Sequence, residues 1–504
     1  MIASNAMDMS APPRGTAAPA LAGPLRFSWL QEELPDRPWP EPLRAALSAA
    51  MNQVGWPAVQ QGERANLEGL YRDFTSVFPR FLTAAGDVDR AADLYTLIHI
   101  LLWRSTQNLA ELKRFNTDVV LPFTDYLARH FPKRPLRPAT RAVPRIAYLS
   151  ETSDLFSSNA VAKTTVSLML GQHALRAPED WPFLYCIKQP VQNLWDFARE
   201  TGLRVRDMSR PTPSQMTQAI LSQLEADEID ILIADSNCAV ATMVLQQRPC
   251  RVQAFHENGF APWGIPELDL AFMGITKPAS GLFDDRVAMH ETPRNTASVF
   301  HCVARPQAQI DALRNVLCAG TGVAQPSAIY GFYGRMAKIT PAYMALVEEI
   351  LERDPQAIFF AGGTGSTTMI VERRATSPAG DRIILYDEFI DGHLVSECID
   401  IFLDTFPFPG GNACLEAQAH GVPVVWMAPE PDSEMQLVFT LRDERLKARD
   451  GAQFVALSQR LADPGQRQEH GNLAQALVAR HGDMTEQATR VEDLLRAAWN
   501  QAAR

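Results

Sequence analysis

The run from Asp404 to Gly421, Asp-Thr-Phe-Pro-Phe-Pro-Gly-Gly-Asn-Ala-Cys-Leu-Glu-Ala-Gln-Ala-His-Gly, carries the densest chemical signal in the chain. It follows an apolar stretch of strand type at 399–403. Prolines and a glycine pair end that strand, Gly410, Gly411 and Asn412 let the backbone approach a ligand closely, and a helix then begins, with Ala413 a further donor-side candidate. Backbone N–H groups at a helix start suit a diphosphate, and the carboxylate of Glu416, one turn further in, suits ribose hydroxyls. The same pattern also makes an ordinary strand–turn–helix with Glu416 in solvent.

A second candidate reads Gly-Phe-Tyr-Gly-Arg-Met-Ala-Lys-Ile-Thr-Pro from Gly331 to Pro341. A strand ends here and a helix starts at Thr340 and Pro341, an N-cap followed by proline at the first helical position. Lys338, just before that start, adds a full charge to the anion-binding end of the helix; a surface cation would have the same sequence. A third loop, Ala-Gly-Gly-Thr-Gly-Ser-Thr-Thr from Ala361, includes Gly363 and lacks the Gly-Lys-Ser/Thr ending of a nucleotide-hydrolase phosphate loop. On the other half of the chain, His256 and Glu257 follow the strand-like run 252–255. They could polarise a nucleophile, the histidine by titrating near neutrality and the carboxylate by orienting or taking a proton, or be a buried histidine beside a surface glutamate. Glu151, Asp154 and Asn159, after the run 146–149, compete for the same part.

The elements that must position these residues form two series. Short apolar runs at 146–149, 183–187, 229–234, 252–255 and 268–273 alternate with helix-length segments, and after a break near 320–327 the pattern resumes at 328–333, 357–361, 382–385, 399–403, 423–427 and 454–457. Such alternation marks parallel sheets covered on both faces. The expected fold is α/β, with two doubly wound lobes at 145–320 and 327–504 that face a cleft at the carboxyl ends of their strands. The three loops of the second lobe then share one rim. Ahead of the lobes, 25–135 reads as an all-helical region, with Phe74, Phe78 and Phe81 and then Leu94, Ile98 and Leu102 at helical spacing. Those stripes need a partner surface, for which the first lobe is the expectation. Pro79 is a potential break. Residues 1–24, rich in Ala, Pro and Gly, read as a disordered tail, and the Pro/Arg-rich stretch 133–145 as a linker.

Composition removes several function classes. The chain has 504 residues, 46% hydrophobic and 21% charged, enough for roughly two to four domains at ~100–200 residues each. Its 47 Lys and Arg against 58 Asp and Glu leave a net charge of −11, which argues against a nucleic-acid backbone partner. The 7 cysteines are scattered without a Cys-x-x-Cys pair, so a zinc site is not expected and a reducing cytoplasm is the expected location. Asp87-Val-Asp89 matches the metal-binding Asp-x-Asp pattern but falls in a turn of the helical region. The first residues do not read as a secretory leader, and the longest apolar stretch, 94–103, is about half the ~20 residues of a membrane helix. Membrane insertion is not expected.

Taken together, Phe406-Pro407-Phe408 with Asn412, Glu416 and Gly421, and Met336-Ala-Lys338-Ile-Thr-Pro341, resemble the GT-B glycosyltransferases that modify proteins in the cytoplasm. These are the O-GlcNAc transferase and SPINDLY group and, above all, the bacterial N-glycosyltransferases that glucosylate adhesins. The resemblance covers the second lobe well and the first more loosely. It implies a GT-B fold and inverting, metal-independent transfer of a hexose or N-acetylhexosamine from a nucleotide-diphosphate sugar, UDP-linked foremost. The acceptor would be an Asn or Ser/Thr side chain of a protein. It assigns Lys338 to the donor diphosphate, Asn412 and neighbouring amides to phosphate, Glu416 to the ribose and Tyr386 to the neighbourhood of the base; no separate cofactor is implied. Two departures stand out: Gly410-Gly411 replaces a more polar pair, and His256-Glu-Asn-Gly-Phe260 replaces Gly-His-Pro or Gly-Tyr-Pro. A glycan or lipid-linked acceptor, or a non-catalytic nucleotide-sugar-binding protein, are the alternative readings.

Overall fold

The computed structural model describes residues 64–83, 88–105, 113–138, 141–151, 153–154, 160–256, 263–273, 288–291, 305–363, 367–388, 391–407, 409–428, 442–481 and 484–502. The 1–24 tail, Asn159 and Glu257 lie outside them.

Two all-parallel sheets organise these residues. The first contains β1 (Ile146–Ser150), β2 (Phe183–Cys186), β3 (Arg204–Asp207), β4 (Ile231–Ala234), β5 (Val252–His256), β6 (Leu270–Met273) and β7 (Ala288–Glu291), in the order β3-β2-β1-β4-β5-β6-β7. The second contains β8 (Ile329–Tyr333), β9 (Ile358–Gly362), β10 (Ile383–Tyr386), β11 (Ile401–Leu403), β12 (Val424–Met427) and β13 (Lys447–Ala448), in the order β10-β9-β8-β11-β12-β13. Central strands such as β1, β4, β8 and β9 are buried at every position, the consequence of helices on both faces of a parallel sheet. Both lobes are therefore doubly wound, as the alternation of runs implied.

The run 454–457 is a correction. Instead of a strand it lies inside the helix Gly451–Arg460, which Asp450 caps by accepting from Gln453 N at 2.8 Å. Phe454 and Leu457 recur at helical spacing, and both are buried against the second sheet. The sixth strand is the two-residue β13, too short to produce a periodic signal. The edge strand β3 escapes the sequence pattern because only Val205 of Arg-Val-Arg-Asp is buried.

The helices Arg64–Thr83, Val88–Ser105 and Leu121–His130 share one continuous core with the first lobe, and the first of them runs through Pro79 without ending. Tyr95 donates its hydroxyl to Asn237 O at 2.9 Å, and Asp89 accepts from Ser214 N at 2.6 Å and Ser214 Oγ at 2.7 Å. Asp89 thus satisfies one orphan N–H at the start of the helix Pro213–Ala226, a structural role for half of the Asp-x-Asp match. The last helix, Met484–Ala502, leaves the second lobe and packs on the first sheet beside the helix Ala160–His173. Glu492 anchors it through Gln172 at 2.6 Å and Arg176 at 2.7 Å. Among the described residues no helix is long and apolar enough to cross a membrane.

Candidate active site in the cleft

Strand order decides where a ligand can sit. Connections leave in opposite directions from β8 and β11, which are neighbours in the second sheet, so a crevice opens beyond their carboxyl ends. The loop with Lys338 follows β8 and the loop 404–411 follows β11. The corresponding point of the first sheet lies between β1 and β4, which lead into Glu151 and Asp235.

The two second-lobe loops are tied together by polar contacts. Lys338 Nζ donates to Pro409 O at 2.7 Å, Thr340 Oγ1 to Phe406 O at 3.4 Å and Tyr343 OH to Leu403 O at 2.9 Å. Thr340 also caps the helix Pro341–Arg353 by accepting from Tyr343 N at 3.1 Å. Within the second loop, the fully buried Asp404 accepts from Gly410 N, while Arg442 Nη2 lies 2.7 Å from Asp404 Oδ2 and 3.0 Å from Gly410 O. Burial pulls the Lys338 ammonium down to about 8; Arg335 adds to the shift and Asp404 opposes it. The cation is poised to gain from any anion brought to it.

Gly411 precedes the helix Asn412–Ala419 and contributes no capping side chain. Further along, Ala413 O accepts from Tyr333 OH at 2.9 Å, which fixes this helix on the end of β8. Glu416, buried on the same helix, accepts at Oε1 from Lys163 Nζ of the first lobe at 3.0 Å. Its Oε2 lies so close to Gly392 that a Cβ there would collide with it. Burial raises the Glu416 carboxyl above its ordinary range, with Lys163 opposing. His393, next in the chain, pairs through Nδ1 with His420 Nε2 at 3.0 Å. Burial, then the Lys163 charge, lowers it to about 3, which keeps the ring neutral.

On the first-lobe rim, Glu151 accepts from Ser236 Oγ at 2.6 Å and pairs with Lys188 at 3.3 Å. Burial alone would raise its carboxyl, but Lys188 and Ser236 outweigh it and the group sits below its ordinary range. Asp154 accepts from Asn193 Nδ2 at 2.7 Å. Asp235 accepts from Thr165 Oγ1 at 2.7 Å, and burial pushes it up to about 7. His256 closes β5 and is 1% exposed, so its ring belongs to the sheet interior.

The remaining residues divide by distance from the crevice. Gly363 is one strand away: its φ of 138° and the Gly334 carbonyl, into which a Cβ would run, demand glycine there for backbone reasons. Tyr386 ends the edge strand β10, where its carbonyl accepts from Gly363 N at 3.0 Å and its hydroxyl points to Glu388 at 3.4 Å. Among the described residues no group of three or more His, Cys, Asp or Glu could hold a metal ion. Sequence reasoning missed Lys163, Arg442, Tyr333 and His393. His393 had a local signal, its place directly after Asp391 and Gly392 at a helix start, and Tyr333 ends β8 inside the Gly331–Pro341 run; Lys163 and Arg442 reach the site from distant segments.

No family model and no curated protein sequence matches the chain. Solved structures do match in fold. A lysine-to-methionine mutant of the Thermobaculum terrenum O-GlcNAc transferase superposes with a TM-score of 0.56 at 18% identity, over 92% of this chain and 88% of that one. Anabaena HepE in complex with UDP-glucose gives 0.52 at 12% identity over 70% and 99%. The sucrose-phosphate synthase of Thermosynechococcus elongatus gives 0.51 at 13% identity over 71% and 100%. At these identities the likeness is one of fold, and the chain has the GT-B fold: two Rossmann-like lobes across a cleft, here with helices ahead of them.

Proposed function

We propose that this chain is an inverting glycosyltransferase that moves a hexose or N-acetylhexosamine from a nucleoside diphosphate, UDP foremost, to an Asn or Ser/Thr side chain of a protein without a metal. The observation that carries this reading is the pairing of Lys338 with the 404–411 loop, so that a cation and a helix start converge at the switch point of the second sheet. Support for a sugar-nucleotide donor comes from the shared fold with HepE, solved with UDP-glucose. Support for a protein acceptor comes from the resemblance of the 336–341 and 406–421 runs to protein-modifying transferases.

In this reading the donor diphosphate lies against Lys338 and the backbone N–H groups of Asn412 and Ala413, and Glu416 takes the ribose hydroxyls. Charge grows on the diphosphate as the bond from the anomeric carbon to the leaving oxygen breaks. The ammonium and the helix start stabilise that charge more in the transition state than in the bound donor. The acceptor nucleophile attacks from the face opposite the leaving group, from the first-lobe rim, which gives inversion. Glu151, ionised and held by Ser236 at the first switch point, is better placed to orient it than the buried His256.

A thermal-shift screen of nucleotide sugars, followed by intact-mass analysis of co-expressed proteins, tests the proposal. Stabilisation by a nucleoside diphosphate and a mass gain of one sugar on an acceptor are expected, with turnover undiminished by EDTA. Turnover lost in EDTA and restored by magnesium or manganese would refute the metal-free mechanism. Saturable nucleotide affinity without turnover on any acceptor would make the chain a binder.

A further inference from the structure

Lys163 stands in the first turn of the helix Ala160–His173, on the first lobe, 253 residues before Glu416 on the second. Their side chains meet across the cleft at 3.0 Å, with exposures of only 16% and 9%. The other carboxylate oxygen is turned to the Gly392 backbone, with the Tyr333 ring beside it. A ribose that reaches this carboxylate has to take the ammonium's place. The inference rests on the donor-site reading given above.

We propose that Lys163 and Glu416 form a latch that holds the lobes together in the empty chain, and that a nucleoside diphosphate opens it by exchanging ribose hydroxyls for the ammonium. Charge makes the exchange selective. Breaking the pair strands a cation that is largely withdrawn from water, and only a ligand that brings its own negative charge compensates it. A bare nucleoside offers the same hydroxyls and no such charge. The latch therefore works against nucleosides and for nucleoside diphosphates. It also couples donor arrival to the spacing between the lobes, because its two halves lie on different lobes.

The test compares the full-length wild type with Lys163→Met. Calorimetry with UDP, GDP and ADP identifies the diphosphate that binds the wild type most tightly, and its nucleoside is then titrated into both proteins. A latch closed about nine times in ten raises the apparent dissociation constant about tenfold, so Lys163→Met should bind the nucleoside about tenfold more tightly. In parallel, spin labels at Val191→Cys and Val371→Cys, both exposed and on different lobes, report interlobe distance in a background with Cys302 and Cys318 changed to Ser. Empty Lys163→Met should shift or broaden toward the nucleotide-bound wild type, and Lys163→Arg, which keeps the pair, should resemble the wild type. Equal or weaker nucleoside binding by Lys163→Met, with unchanged distances, would overturn the latch while leaving the donor site intact. No binding of any diphosphate to either protein would instead overturn the donor-site reading itself.

Discussion

Lys338 Nζ lies 2.7 Å from Pro409 O, so the loop after β8 and the loop after β11 are joined by the cation that an anionic ligand would meet. With the charge placed between two strand ends, it serves the site as a fixed electrostatic group and also holds the second loop in shape.

Lys338→Ala should reduce the catalytic rate by about two to three orders of magnitude, the usual effect of losing one electrostatic stabiliser, while donor affinity falls much less. Lys338→Arg should rescue poorly, because a forked guanidinium does not fit where a compact ammonium meets one carbonyl. Steady-state kinetics with the identified donor and acceptor check this, and wild-type turnover in Lys338→Ala would reduce the lysine to a structural tie.

Lys338 also sets a pH dependence. Its value of about 8 in the folded chain lies below the 10.5 of an ordinary lysine, so the folded chain holds fewer protons than the unfolded chain between these values. The strain of burying the charge is therefore fully present below about pH 8 and fades as pH rises, a gain in stability. Activity should run the other way, with kcat/KM for the donor falling as the free enzyme's ammonium is lost above about pH 8. A flat profile from pH 7 to 9.5 would contradict the role.

Glu416→Ala should weaken nucleotide binding about tenfold or more, the scale of hydrogen bonds to a charged group, and leave inorganic diphosphate nearly unaffected. Competition calorimetry separates the two. Equal losses for both ligands would remove the ribose from this carboxylate.

Arg442→Met should destabilise the second lobe by about 3–5 kcal/mol, because Asp404 is left as a buried carboxylate without its cation. Denaturant unfolding measures the loss. Adding Asp404→Asn should recover part of it, and a double variant no more stable than Arg442→Met would mean that the arginine acts through Gly410 alone.

The sequence by itself determined the parts of this protein that follow from local pattern. Alternating apolar runs and helical segments specified two parallel-sheet lobes, since a strand buried on both faces has to be apolar throughout. Thr340-Pro341 marked a helix start because its capping chemistry lies within four residues. Lys338, Asn412 and Glu416 were legible as candidates for the same reason, each standing at a fixed offset from a strand end. Local pattern misled where a helix face and a short strand look alike, as at 454–457, and where an edge strand needs few apolar residues, as in β3. Only the tertiary structure decided which strands are neighbours, and so that the loops after β8 and β11 flank one crevice whereas Tyr386 lies two strands out from β8. It alone brought Arg442 to Asp404 and Lys163 to Glu416. A charged side chain on a helix has no local pattern that distinguishes solvent from a partner hundreds of residues away, because its burial is fixed by packing between elements rather than by its neighbours in sequence.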